Sequence, residues 1–279
     1  MCAAATAERW IVVNADDYGL TPGISAGILE CVAAGVVTSV SVMVNTPGFA
    51  DGMRRLRALD RPPGVGLHFN LTAGAPVSGA REVKTLVNAG GRFRGLRELA
   101  ARALLGAVDP TDVERERRAQ LALLRDSWPA VDHLDSHRHV HALPGIRAAI
   151  LAAAATAGIR WVRCPAERVG MHRGALTRLA VGALWHVASR GPTLPRVARV
   201  AGIGLRGDAG FLGHLLAALD AAAPGVTEVI VHPGRPEPAL AAWDSYREPR
   251  RIELEALLST RLRERLARRD LVLTDFRAA

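Results

Sequence analysis

The sequence predicts an α/β protein built on a parallel sheet, either open or closed into a barrel. Short apolar runs typical of buried strands alternate with helix-like runs along almost the whole chain. Repeated strand-then-helix units of this kind favour parallel strands covered by helices. With 279 residues, 49% of them hydrophobic, the chain is long enough to bury a large core.

The strands are placed by apolar, β-branched runs, of which Trp10-Ile11-Val12-Val13-Asn14 is the first. The predicted strands lie at 10–14, 38–44, 64–69, 131–135, 159–163, 228–231 and 271–274, with a further possible strand at 197–202.

The helices are placed by their end signals. Thr21 before Pro22, and Asp109 before Pro110, are N-cap and first-turn pairs, and Gly35 is a typical helix end. The predicted helices lie at 22–34, 47–59, 109–127, 145–157, 210–222 and 249–268, with a helical stretch at 176–189. Residues 72–94 have weak periodicity and predict a long surface excursion.

The net charge of +9 comes almost entirely from arginine, since Lys84 is the sole lysine. These arginines are spread along helix-like runs, no nucleic-acid-binding motif is present, and few aromatic residues are available for base stacking. We therefore expect no nucleic-acid partner.

Three cysteines, Cys2, Cys31 and Cys164, are widely spaced and predict neither a disulfide framework nor a thiolate zinc site. No apolar run approaches the roughly 20 residues that cross a bilayer. The first residues lack the basic start and apolar middle of a signal peptide. We expect a cytoplasmic protein without a transmembrane segment.

Polar residues gather where the predicted strands end. They are Asn14, Asp16 and Asp17 at the end of the first strand, Asn45 at the end of the second, His68 and Asn70 at the end of the third, Asp135 and His137 at the end of the fourth, Arg163 at the end of the fifth and His232 at the end of the strand near 230. In parallel α/β folds the functional residues lie at these carboxyl ends. The pattern predicts a site there.

The histidines His137, His139 and His141 alternate along the chain. In an extended strand they would share one face. Residues two apart in a strand lie roughly 6–7 Å apart, so all three cannot bind one ion directly. We expect His137 to be the ligand, and His139 and His141 to contact substrate or support the site. A donor set of one Asp and two His suits zinc, nickel, cobalt or iron.

Asp16 and Asp17 are adjacent, so their carboxylates point in different directions and can take different roles. One can bind a metal while the other stays free as a base. His232, in Val231-His232-Pro233-Gly234, can protonate a leaving group because an imidazole titrates near neutrality.

Four segments together resemble the YdjC-type carbohydrate deacetylases, a family that includes chitooligosaccharide and hopanoid-associated members. They are Asn14-Ala15-Asp16-Asp17-Tyr18-Gly19, Gly66-Leu67-His68-Phe69-Asn70-Leu71-Thr72, the run from His133 to His141, and Val231-His232-Pro233-Gly234.

The resemblance implies a distorted, TIM-like (β/α) barrel, a single domain over residues 1–279, and often a homodimer. It implies one divalent metal ion, zinc or magnesium first and nickel or cobalt next. The metal ligands would be Asp17, His68 and His137, with Asp16 as the general base and His232 as the general acid. The expected substrate contacts are Asn45, Asn70, His139, His141 and Arg163.

The expected reaction is therefore metal-dependent hydrolysis of an N-acetyl group on an acetamido sugar, with release of acetate. One alternative is a metal-dependent phosphoesterase or other amidohydrolase acting on a small sugar, although such barrels usually carry paired histidines after the first strand. Another is a non-catalytic carbohydrate-binding protein.

Overall fold

In the computed structural model, which describes residues 8–165 and 199–279, eight strands form one sheet in which every strand pair is parallel. The strands are β1 (Arg9–Tyr18), β2 (Ser39–Val42), β3 (Gly64–Phe69), β4 (His133–Ser136), β5 (Trp161–Val162), β6 (Arg199–Ala201), β7 (Gly225–Val231) and β8 (Val272–Leu273). Their order is β5-β4-β3-β2-β1-β7-β6, and β8 pairs with the amino-terminal part of β1.

The helices that connect the strands are α1 (Pro22–Ala33), α2 (Phe49–Arg57), α3 (Leu96–Leu104), α4 (Pro110–Ser127), α5 (Ile146–Ala157), α6 (Phe211–Asp220), α7 (Glu248–Leu257) and α8 (Thr260–Leu266). Two 3₁₀ segments, His137–Ala142 and Pro238–Ala242, follow β4 and β7.

The predicted α/β class is confirmed, and the described strands form a half-barrel. Its outermost strands, β5 and β6, do not pair with each other within the described residues. The helical stretch predicted at 176–189 falls outside those residues, and of the strand predicted at 197–202 the described part contains β6.

Both predicted helix starts are confirmed by capping bonds. Thr21 Oγ1 accepts a hydrogen bond from the backbone N–H of Ile24, and Asp109 Oδ1 accepts one from Thr111. One helix prediction was wrong, and one helix was missed. The helix expected at 249–268 is divided into α7 and α8, because Ser259 begins a new helix as its N-cap. Helix α3, which begins after Gly95 without a side-chain cap, was not predicted.

The two faces of the sheet differ in chemistry. One face carries the main hydrophobic core, in which Ile11, Val13 and Ala15 of β1 are buried with residues from the helices. The alternate residues of β1, Asn14 and Asp16, lie on the other face, and they are buried as well. The inner face is therefore a buried polar layer that ends at the carboxyl ends of the strands.

An apolar cluster closes the inner face at its amino-terminal side. Val12, Trp161 and Phe276 pack together there, apart from the main core. The rings of Trp161 and Phe276 have centroids 5.5 Å apart. Val12 lies two residues before Asn14 on the same face of β1, so this cluster lies on the amino-terminal side of the polar layer.

Candidate active site

Asp16 and Asp17 lie within β1, which continues to Tyr18, rather than after it as the sequence predicted. Asp17 has a φ of +66°, in the left-handed region that non-glycine residues rarely adopt. This backbone turn directs the neighbouring carboxylates to different partners. Such strain is typical of functional sites.

Three side chains form a cluster that could hold a metal ion. They are Asp17, His68 and His137, whose donor atoms all lie within 4.8 Å of one another and are buried. Asp17 Oδ1 lies 3.3 Å from His68 Nε2 and 2.9 Å from His137 Nδ1. The site is built from β1, from β3 and from the segment after β4.

His68 is oriented by Asp135. Its Nδ1 lies 2.7 Å from Asp135 Oδ1, so it donates its proton there and turns Nε2 toward Asp17. A carboxylate behind a metal-binding imidazole is a common supporting arrangement. Burial opposes the charged form of His68, but Asp135 and Asp16 outweigh it and raise the pKa of His68 to about 10.

Asp16 faces Arg163. The guanidinium donates to both Asp16 oxygens, at 2.8 and 2.6 Å, and also contacts Asp135 and Glu228. Burial alone would raise the pKa of Asp16, yet Arg163 and His68 together outweigh burial and keep it below its usual value. Asp16 is therefore ionised and held in one orientation.

Arg250, on α7, performs a similar task for Asp17. Its Nη2 donates to Asp17 Oδ2 at 2.5 Å and to Asp244 Oδ2 at 2.6 Å. Burial favours the neutral acid, but Arg250 and then His137 hold the pKa of Asp17 well below its usual range.

His232 follows β7 directly, and its Nε2 lies 3.8 Å from Asp16 Oδ2. The backbone N–H of His232 donates to Glu253 Oε2 at 2.6 Å, and the Tyr246 hydroxyl donates to Glu253 Oε1 at the same distance. Glu253 thus fixes the backbone that carries His232.

The alternating histidines do not form an extended strand, so the expectation of a shared face was wrong. Residues 137–142 form the 3₁₀ segment, in which Arg138 and His139 have φ values of +56° and +54°. These left-handed residues turn the chain away from β4 directly after His137.

His139 and His141 consequently have different surroundings. His141 is fully buried, and its Nδ1 lies 2.5 Å from Ser136 Oγ. Burial and Arg163 lower the pKa of His141 to about 3, so it is neutral. His139 is half-buried, and its Nδ1 has no hydrogen-bond partner within the described residues.

The expected substrate contacts Asn45 and Asn70 bind each other and the loop after β3. Asn70 Nδ2 donates to Asn45 Oδ1 at 3.0 Å, and Asn45 Nδ2 donates to the carbonyl oxygens of Ala73 and Ala75. Arg163, also expected to contact substrate, is buried and saturated by carboxylates. The structure therefore gives these three side chains supporting contacts.

Sequence reasoning missed several residues that contact the site from positions far away in the chain. Arg250 and Glu253 lie three residues apart on one face of α7, and Asp244, Tyr246 and Glu228 complete the set. A possible signal was the i, i+3 pair of opposite charges on a helix, but such pairs are common on solvated faces.

The residues present fit a divalent cation. Asp17, His68 and His137 offer buried donor atoms within 4.8 Å of one another, and one carboxylate with two imidazoles is a donor set that suits a divalent transition metal. Around the site, the buried guanidinium groups of Arg163 and Arg250 contact five carboxylates, those of Asp16, Asp17, Asp135, Glu228 and Asp244.

Within residues 8–165 and 199–279, no helix is long and apolar enough to cross a membrane.

Similar solved structures share this architecture. A protein from Enterococcus faecalis, described as a proposed cellobiose-phosphate cleavage protein, superposes with a TM-score of 0.78 at 24% identity, covering 97% of this chain and 98% of that one. A CE4 esterase from Streptococcus mutans gives a TM-score of 0.50 at 16% identity, covering 96% and 86%. At these identities the likeness concerns the fold.

Curated relatives named carbohydrate deacetylase align with part of the chain. The protein of Geobacillus stearothermophilus is 44% identical over 139 residues, and that of Brevibacillus brevis 42% identical over 142 residues. The human protein is 38% identical over 160 residues. These alignments cover 50–57% of this chain and 49–54% of the relatives, so the chain spans about half the length of the curated relatives it matches.

The family model described as YdjC-like protein matches residues 10–268, which include all the residues of the site and every strand of the sheet except β8 and the first residue of β1. The chain belongs to the YdjC-like protein family.

Proposed function

We propose that this protein is a metal-dependent hydrolase that removes the N-acetyl group from an acetamido sugar and releases acetate. The observation that carries the proposal is the pairing of a three-donor metal cluster with Asp16 and His232 at one edge of the sheet. The names of the curated relatives support carbohydrate deacetylation.

Asp17, His68 and His137 would hold the ion. Two imidazoles and one carboxylate suit zinc, cobalt or nickel better than magnesium, which prefers oxygen ligands. When bound, the metal would polarise the acetamide carbonyl and lower the pKa of a water molecule beside it.

Asp16 is the general base. It is ionised, buried and held at both oxygens by Arg163, while Oδ2 lies within 3.8 Å of both His68 Nε2 and His232 Nε2. It can therefore accept the proton of a water that attacks the carbonyl carbon beside the metal cluster.

His232 is the general acid. When the C–N bond breaks, the departing nitrogen takes the bond electrons and needs a proton to leave as an amine. The imidazole of His232 is 29% exposed, which gives it access to a substrate at the site edge. Overall, one water is consumed, and acetate and a free amino sugar are formed.

The remaining assignments follow from contacts. We propose that Asn45 and Asn70 shape the loop beside the site and that Arg163 positions Asp16. His139, whose Nδ1 has no hydrogen-bond partner among residues 8–165 and 199–279, stays the predicted substrate contact of the histidine cluster, and buried His141 packs against its ring. The single-domain organisation and the homodimer stay predictions.

The test is acetate release from N-acetylglucosamine and its short oligomers by the zinc-loaded protein, with the free amine measured in parallel. We expect equal amounts of acetate and amine, loss of both after chelation, and recovery when Zn²⁺ is added back. A phosphorylated sugar serves as a second substrate. Release of phosphate without acetate would favour the phosphoesterase alternative and contradict the proposal.

A further inference from the structure

A hydrogen-bonded chain runs beneath the site on the inner face of the sheet. Asp132 Oδ1 lies 2.5 Å from His133 Nδ1, and His133 Nε2 lies 3.1 Å from Ser41 Oγ. Ser41 Oγ donates to Asp135 Oδ2 at 2.6 Å, and Asp135 holds His68. His133 is thus connected through two side chains to a residue of the metal cluster.

Strand β3 leaves room for this chain. Gly66 pairs with His133 across the sheet, and a Cβ at position 66 would lie 2.3 Å from His133 Nε2. A Cβ at Gly64 would lie 3.0 Å from Asp132 Oδ2. A side chain at position 66 would displace the imidazole from the interior.

The protons of this chain can be assigned from its contacts. Ser41 has one hydroxyl proton, and it lies between two oxygens only 2.6 Å apart, Ser41 Oγ and Asp135 Oδ2. Asp135 Oδ2 also forms an ion pair with Arg163, whose Nη2 lies 2.5 Å away, so Asp135 is an ionised acceptor and the proton comes from Ser41. Asn14 Nδ2 donates to Ser41 Oγ as well.

Ser41 therefore has no proton left for His133, and His133 Nε2 must donate to it. His133 Nδ1 faces the Asp132 carboxylate, which can only accept. Both ring nitrogens then carry protons. If the His133 ring were neutral with Nε2 as an acceptor, the Ser41 hydroxyl would donate to Nε2 instead of to Asp135. Ser41 Oγ and Asp135 Oδ2 would then lie 2.6 Å apart with no proton between them.

We infer that His133 is a buried imidazolium and a positioning residue of the metal cluster, because its Nε2–H directs the Ser41 proton to Asp135 and so fixes the carboxylate that orients His68. This inference deepens the proposed function and rests on it only for the identity of the metal site.

The charges around His133 favour a cation. Asp132 is adjacent, and Asp135 and Glu228 act on His133 from β4 and β7. Arg163 contacts Asp135 and Glu228, and the His68 imidazole contacts Asp135. The Phe276 ring, from the C-terminal segment, has its centroid 4.6 Å from that of His133. Burial opposes the charged form, but Asp132, Asp135 and Glu228 together outweigh burial, and the pKa of His133 is raised.

The protonation state can be measured directly on the unmodified protein. We would label the histidines with ¹⁵N, identify His133 by its nuclear Overhauser contacts to the Phe276 ring, and record its nitrogen shifts at pH 7.5 without metal. Two protonated ring nitrogens are expected. A neutral tautomer, with one unprotonated nitrogen, would overturn the inference whatever the protein's activity.

The positioning role is tested by Zn²⁺ affinity, measured by competition with a chelator. We expect His133→Gln and Ser41→Ala each to weaken binding by about 10- to 100-fold, as is usual for residues that support a metal ligand. Because they act in series, the double variant should bind about as weakly as either one. His214→Gln, at an exposed histidine on α6, is the matched control.

Circular dichroism would verify that each variant is folded. Unchanged Zn²⁺ affinity in folded His133→Gln would refute the positioning role, as would additive losses in the double variant. If affinity falls as expected but no acetamido sugar is hydrolysed, the proposed reaction fails while this inference stands.

Discussion

Two adjacent residues, Asp16 and Asp17, take different roles because their backbones and partners differ. The left-handed φ of Asp17 turns its carboxylate toward the two histidines and Arg250, while Asp16 faces Arg163 and His232. A single residue of strand thus separates the proposed metal ligand, Asp17, from the proposed base, Asp16.

Replacing Asp16 tests this separation. We expect Asp16→Asn to lower kcat by about 10²- to 10⁴-fold, the usual contribution of a general base, because an amide cannot accept the water proton at neutral pH. Asp17, His68 and His137 are untouched, so the zinc content should stay at one ion per chain. Activity equal to that of the unmodified protein would show that Asp16 is not the base.

Helix α7 provides no proposed catalytic group, but two of its side chains hold groups of the site in place. Arg250 and Glu253 lie about one turn apart, one holding Asp17 and the other the backbone N–H of His232. The 3₁₀ segment after β4 likewise places His137 in the cluster and turns His139 and His141 elsewhere. Helix α7 and the 3₁₀ segment therefore fix the positions of side chains that belong to the site but lie on β1, after β4 and after β7.

The variant Glu253→Gln should displace His232, the proposed general acid, without changing metal binding. One of the two acceptor oxygens becomes an amide nitrogen. If the remaining oxygen keeps the N–H of His232, the Tyr246 hydroxyl must reverse its bond and accept from the amide, which removes the acceptor of its own proton. We expect kcat to fall by up to about 100-fold through misplacement of His232, with Zn²⁺ affinity unchanged. Glu255→Gln, at an exposed position of the same helix, is the control. Loss of zinc in Glu253→Gln would contradict the separate roles.

At the scale of the whole molecule, the sheet separates an apolar layer from a polar one. Helices cover the outer face, where Cys31 of α1 is buried in the main core. The inner face holds ionised groups in buried networks, closed at one side by Val12, Trp161 and Phe276. The site is thus supported by a rigid core on one side and is reached at the strand ends.

Reactivity of Cys31 reports on the integrity of that core. Burial raises the pKa of the Cys31 thiol to about 12, from 9.0 in an exposed thiol. At pH 8 the folded protein should protect Cys31 from a thiol reagent, as measured by mass spectrometry of its peptide, and denaturant should expose it. Since the thiol form is favoured on folding, its contribution to stability is complete below pH 9.0 and is lost toward pH 12. Labelling of folded protein at the denatured rate would contradict this packing.

The sequence by itself determined the α/β class, most element positions and the convergence of Asp16, Asp17, His68, His137 and His232 at the strand ends. It could do so because strand and helix periodicity is local, and parallel strands bring their carboxyl ends to one edge. Tertiary structure decided the partners. Arg250 reaches Asp17 across 233 positions of the chain, and the left-handed turn at Arg138 and His139 replaces the strand that alternation suggested. The hydrogen-bonded chain from His133 to His68 likewise exists only once β2, β3 and β4 are side by side, because no local pattern records contacts between distant segments.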